Sequence, residues 1–159
     1  MKAFIANIGL AVAWALITDD FSTHNVVIGL VMGYVLFLLL APAMGEGATG
    51  YVRRVGRIAA FIAFFAREMV KANLRMVYHV LTPHSSMSPG VVGVPLEPAS
   101  DLEITLLANL VTLTPGTLSV DVSGDRRTLY VHAVDCVDPE AVRKEIKDGF
   151  EARLLELTR

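Results

Sequence analysis

The sequence predicts a membrane α-helical hairpin, then an interfacial or third transmembrane helix, then a small soluble α+β domain of order βαββα and ferredoxin-like type. Three observations predict this fold class. Two uncharged apolar runs lie near the start, a helical stripe of basic residues follows, and short alternating segments with helix caps fill the second half. We expect the hairpin at 1–45, a linker with the long helix at 46–82, and the α+β domain at 83–159.

The two apolar runs are Ala3–Thr18 and Val26–Ala43, and neither contains a charged residue. At about 1.5 Å per residue they span about 24 and 27 Å. The hydrocarbon core is about 30 Å thick, so both are short spans that need local thinning or snorkelling flanks. A cleaved signal peptide is the alternative for the first run. The second run follows so soon that we expect the first to be retained.

Small residues at helical spacing indicate where these helices pack. Gly29 and Gly33 form a small-xxx-small pair in the second run, and Gly9 and Ala13 form one in the first. Lipid provides no hydrophobic drive for helix association, so close backbone approach supplies contact energy. Chance spacing of these residues is the alternative.

Basic residues predict the orientation of the hairpin. Lys2 precedes the first run, Arg53, Arg54 and Arg57 follow the second, and the connecting loop has none. The positive-inside rule therefore places both ends of the hairpin in the cytoplasm, with the soluble domain.

A long helical pattern follows the stretch Gly45–Gly50, which we expect to be flexible, and runs from about Tyr51 to Leu81. Its second part carries the basic stripe Arg67, Lys71 and Arg75 opposite an apolar stripe. This pattern favours an interfacial helix with its basic side towards phospholipid headgroups. A third transmembrane helix, with its charges satisfied by partner subunits, stays open.

The second half shows clear local signals for each element. Residues 91–96 read as an edge strand that contains Pro95, and Ser100 with Glu103 forms a capping box. A turn at 114–117 leads into a hairpin of two alternating strands, 118–122 and 129–134. Asp138 and a following proline open the last helix, to about residue 157.

No residue constellation predicts catalysis or a cofactor. The histidines have no metal-ligand spacing, Cys136 has no CxxC partner, and no nucleophile elbow or nucleotide loop is visible. The net charge of -2 gives no reason to expect nucleic acid. The sequence therefore predicts neither an enzyme nor a metal or cofactor site. It also predicts no small-molecule substrate bound by this chain alone.

The run from Asp101 to Val122, DLEITLLANLVTLTPGTLSVDV, closely resembles the E-type subunit of the Mrp-type multisubunit sodium/proton antiporters. The segments GVVGVPL at 90–96, TLYVHA at 128–133 and EMVKANLR at 68–75 extend the resemblance over nearly the whole chain. It implies an accessory, non-catalytic subunit of a bacterial plasma-membrane complex, with ion translocation in larger subunits. No catalytic residue is transferred. Five residues are expected to be architectural: Asn109, Thr114, Pro115, Gly116 and Thr117, with Asn109 hydrogen-bonded to a neighbouring turn.

Two functions of different classes follow. The first is a membrane accessory subunit that binds the other antiporter subunits and the lipid bilayer. The alternative is a membrane-tethered regulatory or binding module whose α+β domain is the sensor, which would need a concave polar pocket.

Overall fold

The computed structural model describes residues 2–82, 87–97 and 99–159. Pro83, Ser85 and Ser86, whose composition predicts a loop that ends the long helix, therefore lie outside the described residues. The chain divides into two compact units, Met1–Ala59 and Ala60–Arg159. Each unit is described separately below.

The first unit begins with two helices, α1 (Lys2–Ile17) and α2 (Thr23–Met44), which pack together. The Ser22 hydroxyl accepts a hydrogen bond from the Asn25 backbone N–H and caps α2. Pro42 lies within the last turn of α2, which ends two residues later. Only α2 is both long and apolar enough to cross a membrane among the described helices, and α1 is a shorter apolar helix.

The predicted flexible linker at Gly45–Gly50 is wrong beyond its first residue. Helix α3 (Glu46–Leu81) begins directly after Gly45, whose φ of 84° ends α2. The first turns of α3 are held in place because Ala48 is buried with Phe37 and Ala41 of α2. The Tyr51 and Phe37 rings also meet edge to face, with centroids 5.5 Å apart. Tertiary packing thus overrides the weak helix propensity of the glycines in this segment.

The second unit contains a three-stranded antiparallel sheet with strand order β1-β3-β2. Its elements are β1 (Gly90–Pro95), α4 (Asp101–Leu113), β2 (Thr117–Val122), β3 (Thr128–Ala133), α5 (Pro139–Lys144), a π-helical segment (Glu145–Glu151) and α6 (Ala152–Thr158). The predicted order βαββα and the edge position of β1 are confirmed. The capping box at Ser100 and the Asp138 cap are also confirmed. The π-helical segment was not predicted.

One core lies between the sheet and the helices of this unit. Val94, Leu129 and Val131 of the sheet pack with Val111 of α4 and Phe150 of the π-helical segment. Burial of these side chains is the main source of the unit's stability, at about 25 cal/mol per Å² of apolar surface removed from water.

Side chains of α5 and of the π-helical segment cover the outer edge of β1. Arg143 Nε donates to Gly93 O at 2.8 Å, and Lys147 Nζ donates to Pro95 O at 3.0 Å. These two donors, four residues apart, satisfy carbonyls that an exposed edge strand would present to another chain. A buried glutamate, Glu151, continues the same row and accepts from the Glu97 backbone N–H at 2.7 Å.

Candidate functional site

The contact between α1 and α2 is the first candidate site, because both helices approach closely at two glycines. Gly29 and Gly33 are buried, and Gly29 faces the backbone of Ala11. A Cβ at Gly29 would lie 2.9 Å from Ala11 Cα and 3.2 Å from Trp14 Cβ. Only glycine fits this distance, so the predicted pair in α2 lies where the chain packs against itself.

The predicted pair in α1 lies elsewhere. Gly9 and Ala13 are exposed, and among the described residues nothing comes within 4 Å of a Cβ built on Gly9. The small residues of α1 that are buried are Ala11 and Ala15 instead. The structure therefore does not bring the two small-xxx-small pairs together, and Gly9 and Ala13 remain packing candidates for another chain.

A buried polar side chain, Asn7, connects the three helices of the first unit. Asn7 is 3% exposed, and its Nδ2 donates to Leu30 O at 3.3 Å and to Tyr51 Oη at 2.7 Å. Its Oδ1 has no hydrogen-bond partner within the described chain and occupies the space that a Cβ on Gly33 would need. The oxygen thus lies against the Gly33 Cα, where a Cα–H···O contact is available.

A second polar group lies at the loop end of the hairpin. Trp14 Nε1 donates to Asn25 Oδ1 at 3.0 Å, and Asn25 Nδ2 donates to Thr18 Oγ1 at 2.6 Å and Asp20 O at 2.7 Å. These bonds join the end of α1 to the start of α2. The sequence has one amide inside the first apolar run, Asn7, and another, Asn25, directly before the second run. These two amides were the available signal, because buried amides need partners.

The threonine turn at 114–117 is held by its own hydroxyls. Thr117 Oγ1 donates to Val111 O at 2.7 Å, Thr114 Oγ1 donates to Leu110 O at 2.9 Å, and Gly116 has a φ of 91°. These contacts fit the expected architectural role of the turn and a glycine at its left-handed position. Asn109 is exposed on α4, and its hydrogen bond to a neighbouring turn stays a prediction.

The predicted basic stripe of α3 is exposed. Lys71 Nζ lies 2.7 Å from Glu68 Oε1, and Arg75 Nη2 lies 3.7 Å from Glu145 Oε1. Arg67 is exposed on the same helix.

A small cavity of about 60 Å³ lies between α3 and the threonine turn within the second unit. The ion pair between Arg75 and Glu145, at 3.7 Å, lines it, and so do His79 and Asp135, whose Nε2 and Oδ2 atoms lie 3.8 Å apart. Ligand pockets are typically about 300–1,000 Å³, so this cavity has room for a few water molecules and not for a cofactor. Within the described ranges, no cluster of three or more His, Cys, Asp or Glu residues could hold a metal ion.

The strongest electrostatic perturbation is at the start of α4. Hydrogen bonds from the Thr158 hydroxyl and from the backbone and hydroxyl of Ser100 lower the pKa of Glu103 from 4.5 to about 2. Thr158 Oγ1 donates to Glu103 Oε1 at 2.6 Å and joins α6 to α4. The ionised carboxylate is therefore a structural acceptor and not a proton donor at neutral pH.

The first unit combines a helix that is long and apolar enough to cross a membrane with buried polar groups that hold its own helices together. Over residues 7–157 the chain matches the family described as Na+/H+ ion antiporter subunit. It is 36% identical to the E-type subunit of the Na(+)/H(+) antiporter of Alkalihalophilus pseudofirmus over 98% of this chain and 97% of the relative. It is 33% identical to the E1 subunit of the Staphylococcus epidermidis antiporter over 93% and 92%. The chain belongs to the family of E-type Na+/H+ antiporter subunits, as the resemblance implied.

Two solved structures contain similar chains. One is in the Mrp complex from Dietzia sp. DQ12-45-1b, with 33% identity, a TM-score of 0.50, and coverage of 65% of this chain and 96% of that one. The other is in the membrane-bound sulfane sulfur reductase, an archaeal respiratory membrane complex. It has 25% identity, a TM-score of 0.56, and coverage of 96% and 99%. Both similar chains are therefore parts of complexes, and the second is described as a membrane complex.

Proposed function

We propose that this chain is an accessory, non-catalytic subunit of a multisubunit monovalent cation/proton antiporter and contributes to assembly and stability of the complex. The observation that carries the proposal is the chemistry of the hairpin. Its buried polar side chains, Asn7 and Asn25, are uncharged and are used in contacts between the chain's own helices.

Ion or proton transfer through a membrane needs ionisable groups that line a path. No Asp, Glu, Lys, Arg or His lies in residues 3–18 or 25–45. The hairpin therefore supplies surface for neighbouring subunits, and translocation belongs to other chains of the complex.

The outward faces of α1 and α2 support this role. Large apolar side chains are exposed along both helices, among them Ile5, Leu16, Val31 and Leu39. The 22 residues of α2 span about 33 Å, and the 16 of α1 about 24 Å. We propose that both cross the membrane as a hairpin with cytoplasmic ends, and that lipid and neighbouring subunits cover these faces.

The soluble unit is proposed to be a ferredoxin-like domain that lacks its fourth strand. The antiparallel order β1-β3-β2 with the element order βαββα supports this topology. Because Arg143 and Lys147 occupy the edge of β1 where a further strand would pair, the domain is complete without one.

The test is deletion of this chain from the full operon, with a tag on one of the remaining subunits. We expect loss of assembled complex on native gels and a matching loss of Na+/H+ exchange in everted vesicles. Re-expression of the wild-type chain restores both. Assembly and exchange at wild-type levels without this chain would overturn the proposal, and so would full assembly with abolished exchange, since that result assigns the chain a direct part in transport.

A further inference from the structure

The part of α3 in the second unit has an apolar outer side that its own fold does not cover. We define this outer stripe as Ile62, Val70, Leu74, Val77 and Leu81. These side chains are between 52% and 74% exposed. Successive members are eight, four, three and four residues apart, which places them along one side of the helix.

The opposite side of the same helix already satisfies the packing needs of the domain. Phe61, Phe64 and Phe65 pack against the core, and Phe64 and Phe150 meet with ring centroids 5.7 Å apart. Ala72 is buried on this side as well. The outer stripe is therefore not required to fold the domain, and its aliphatic surface is unfavourable in water.

Basic side chains border the outer stripe on one flank. Arg67, Lys71 and Arg75 follow each other at intervals of four residues and are exposed. Glu68 Oε1 lies 2.7 Å from Lys71 Nζ, and Glu145 Oε1 lies 3.7 Å from Arg75 Nη2, so acidic side chains accompany two of the three cations. Three basic and two acidic side chains leave the border with a net charge of +1 beside an aliphatic surface, which complements anionic phospholipid headgroups above acyl chains.

The chain reaches α3 directly from the membrane. One residue, Gly45, separates α3 from α2, which is long enough to cross a bilayer. A span made from the second part of α3 would bring Arg67, Lys71 and Arg75 into hydrocarbon at a cost of several kcal/mol. A helix at the surface keeps these side chains among headgroups and buries the outer stripe.

We propose that the outer stripe of α3 is an interfacial lipid-binding surface that takes up an anionic phospholipid bilayer. The aliphatic side chains enter the boundary between headgroups and acyl chains, and the basic border binds phosphate. The surface adds a lipid contact to the proposed subunit role and does not depend on that role being correct.

The test is site-directed spin labelling of the full chain in nanodiscs that contain phosphatidylglycerol. In a Cys136→Ser background, a nitroxide is attached after Leu74→Cys in the outer stripe. The matched controls are Leu39→Cys, exposed on α2, and Leu118→Cys, exposed on β2. Accessibility to oxygen, which concentrates in lipid, is compared with accessibility to a water-soluble nickel chelate.

We expect the label at position 74 to favour oxygen as the label at position 39 does, and the label at position 118 to favour nickel. Nickel accessibility at position 74 equal to that at position 118 would overturn the proposal. Shielding of position 74 from both reagents in the assembled complex would overturn it too, because a protein partner would then cover the stripe.

The charge requirement is tested separately with Arg67→Gln. Each basic residue near an anionic surface strengthens binding by about fivefold, so the ratio of lipid-exposed to water-exposed label should fall by about fivefold. A larger shift should follow when phosphatidylglycerol is replaced by phosphatidylcholine, because this change removes the anionic partner of every basic residue on the border. An unchanged ratio in both experiments would contradict the anionic-lipid part of the proposal.

Discussion

Replacement of Gly29 by alanine should weaken the packing of α1 against α2. The new Cβ would lie 2.9 Å from Ala11 Cα and 3.1 Å from Ala11 O, whereas ordinary contacts begin at 3.4 Å. Because both atoms belong to the backbone, no side-chain rotation relieves the clash, and the helices must part by about 0.5 Å at this point. Overpacking of this kind costs about 1–3 kcal/mol, which raises the unfolding equilibrium constant about 5- to 150-fold.

Gly9→Ala is the matched control, since the same change on α1 meets nothing within 4 Å among the described residues. It should gain up to about 1 kcal/mol of helix stability without a clash. The stability of the hairpin should therefore fall below that of the wild type in Gly29→Ala and rise above it in Gly9→Ala.

The assay is unfolding of the purified chain by SDS in mixed micelles, followed by tryptophan fluorescence. The chain has one tryptophan, Trp14, whose Cβ would be 3.2 Å from the new methyl group. We expect Gly29→Ala to unfold at lower SDS than the wild type. Equal midpoints for Gly29→Ala and the wild type, or equal destabilisation by Gly9→Ala, would refute the assignment of this contact.

Three further predictions concern the Asn7–Gly33 contact, the threonine turn and Glu103. Gly33→Ala should destabilise the hairpin, because the Asn7 oxygen occupies the position that the new Cβ needs. Asn7→Ala removes this oxygen and should therefore relieve the effect of Gly33→Ala. Additive free-energy changes in a double-mutant cycle would contradict this coupling. Thr117→Val removes the hydroxyl that donates to Val111 O. Backbone hydrogen exchange should therefore show that the local stability of the turn falls by about 1 kcal/mol. Unchanged protection of the turn amides from exchange would refute the structural role of this hydroxyl. The folded-state pKa of Glu103 is depressed to about 2. The stability advantage of the wild type over Glu103→Gln should therefore be full above about pH 4.5 and vanish towards pH 2. An advantage that does not change with pH in circular dichroism titrations would refute the link between ionisation of Glu103 and stability.

Elements with local signals were predictable from the sequence. The Ser100–Glu103 capping box, the Asp138 cap and the glycine of the threonine turn all depend on residues a few positions apart. Such interactions form within one turn of chain, so the pattern alone is sufficient. The β2–β3 hairpin also followed from its short connection and alternating residues, whereas the pairing of β1 with β3 was not predicted.

The membrane contact shows the limit of this reasoning. Gly9 with Ala13 and Gly29 with Gly33 have the same small-xxx-small spacing, yet only the second pair lies between α1 and α2. Spacing places both residues on one side of a helix but does not state which side meets the neighbour. The partner's own shape decides this, here the Asn7 oxygen and the Ala11 backbone.

The sequence by itself determined the class of this protein: two apolar helices, an amphipathic helix and a small α+β domain, because periodicity and caps are local properties. Only the tertiary structure decided that Gly45 is followed at once by helix, since burial of Ala48 against α2 outweighs the glycines. It also decided that α5 and the π-helical segment cover the edge of β1 through Arg143 and Lys147. Arg143 and Gly93 are 50 positions apart in the sequence, and contacts of that separation exist only once the chain has folded.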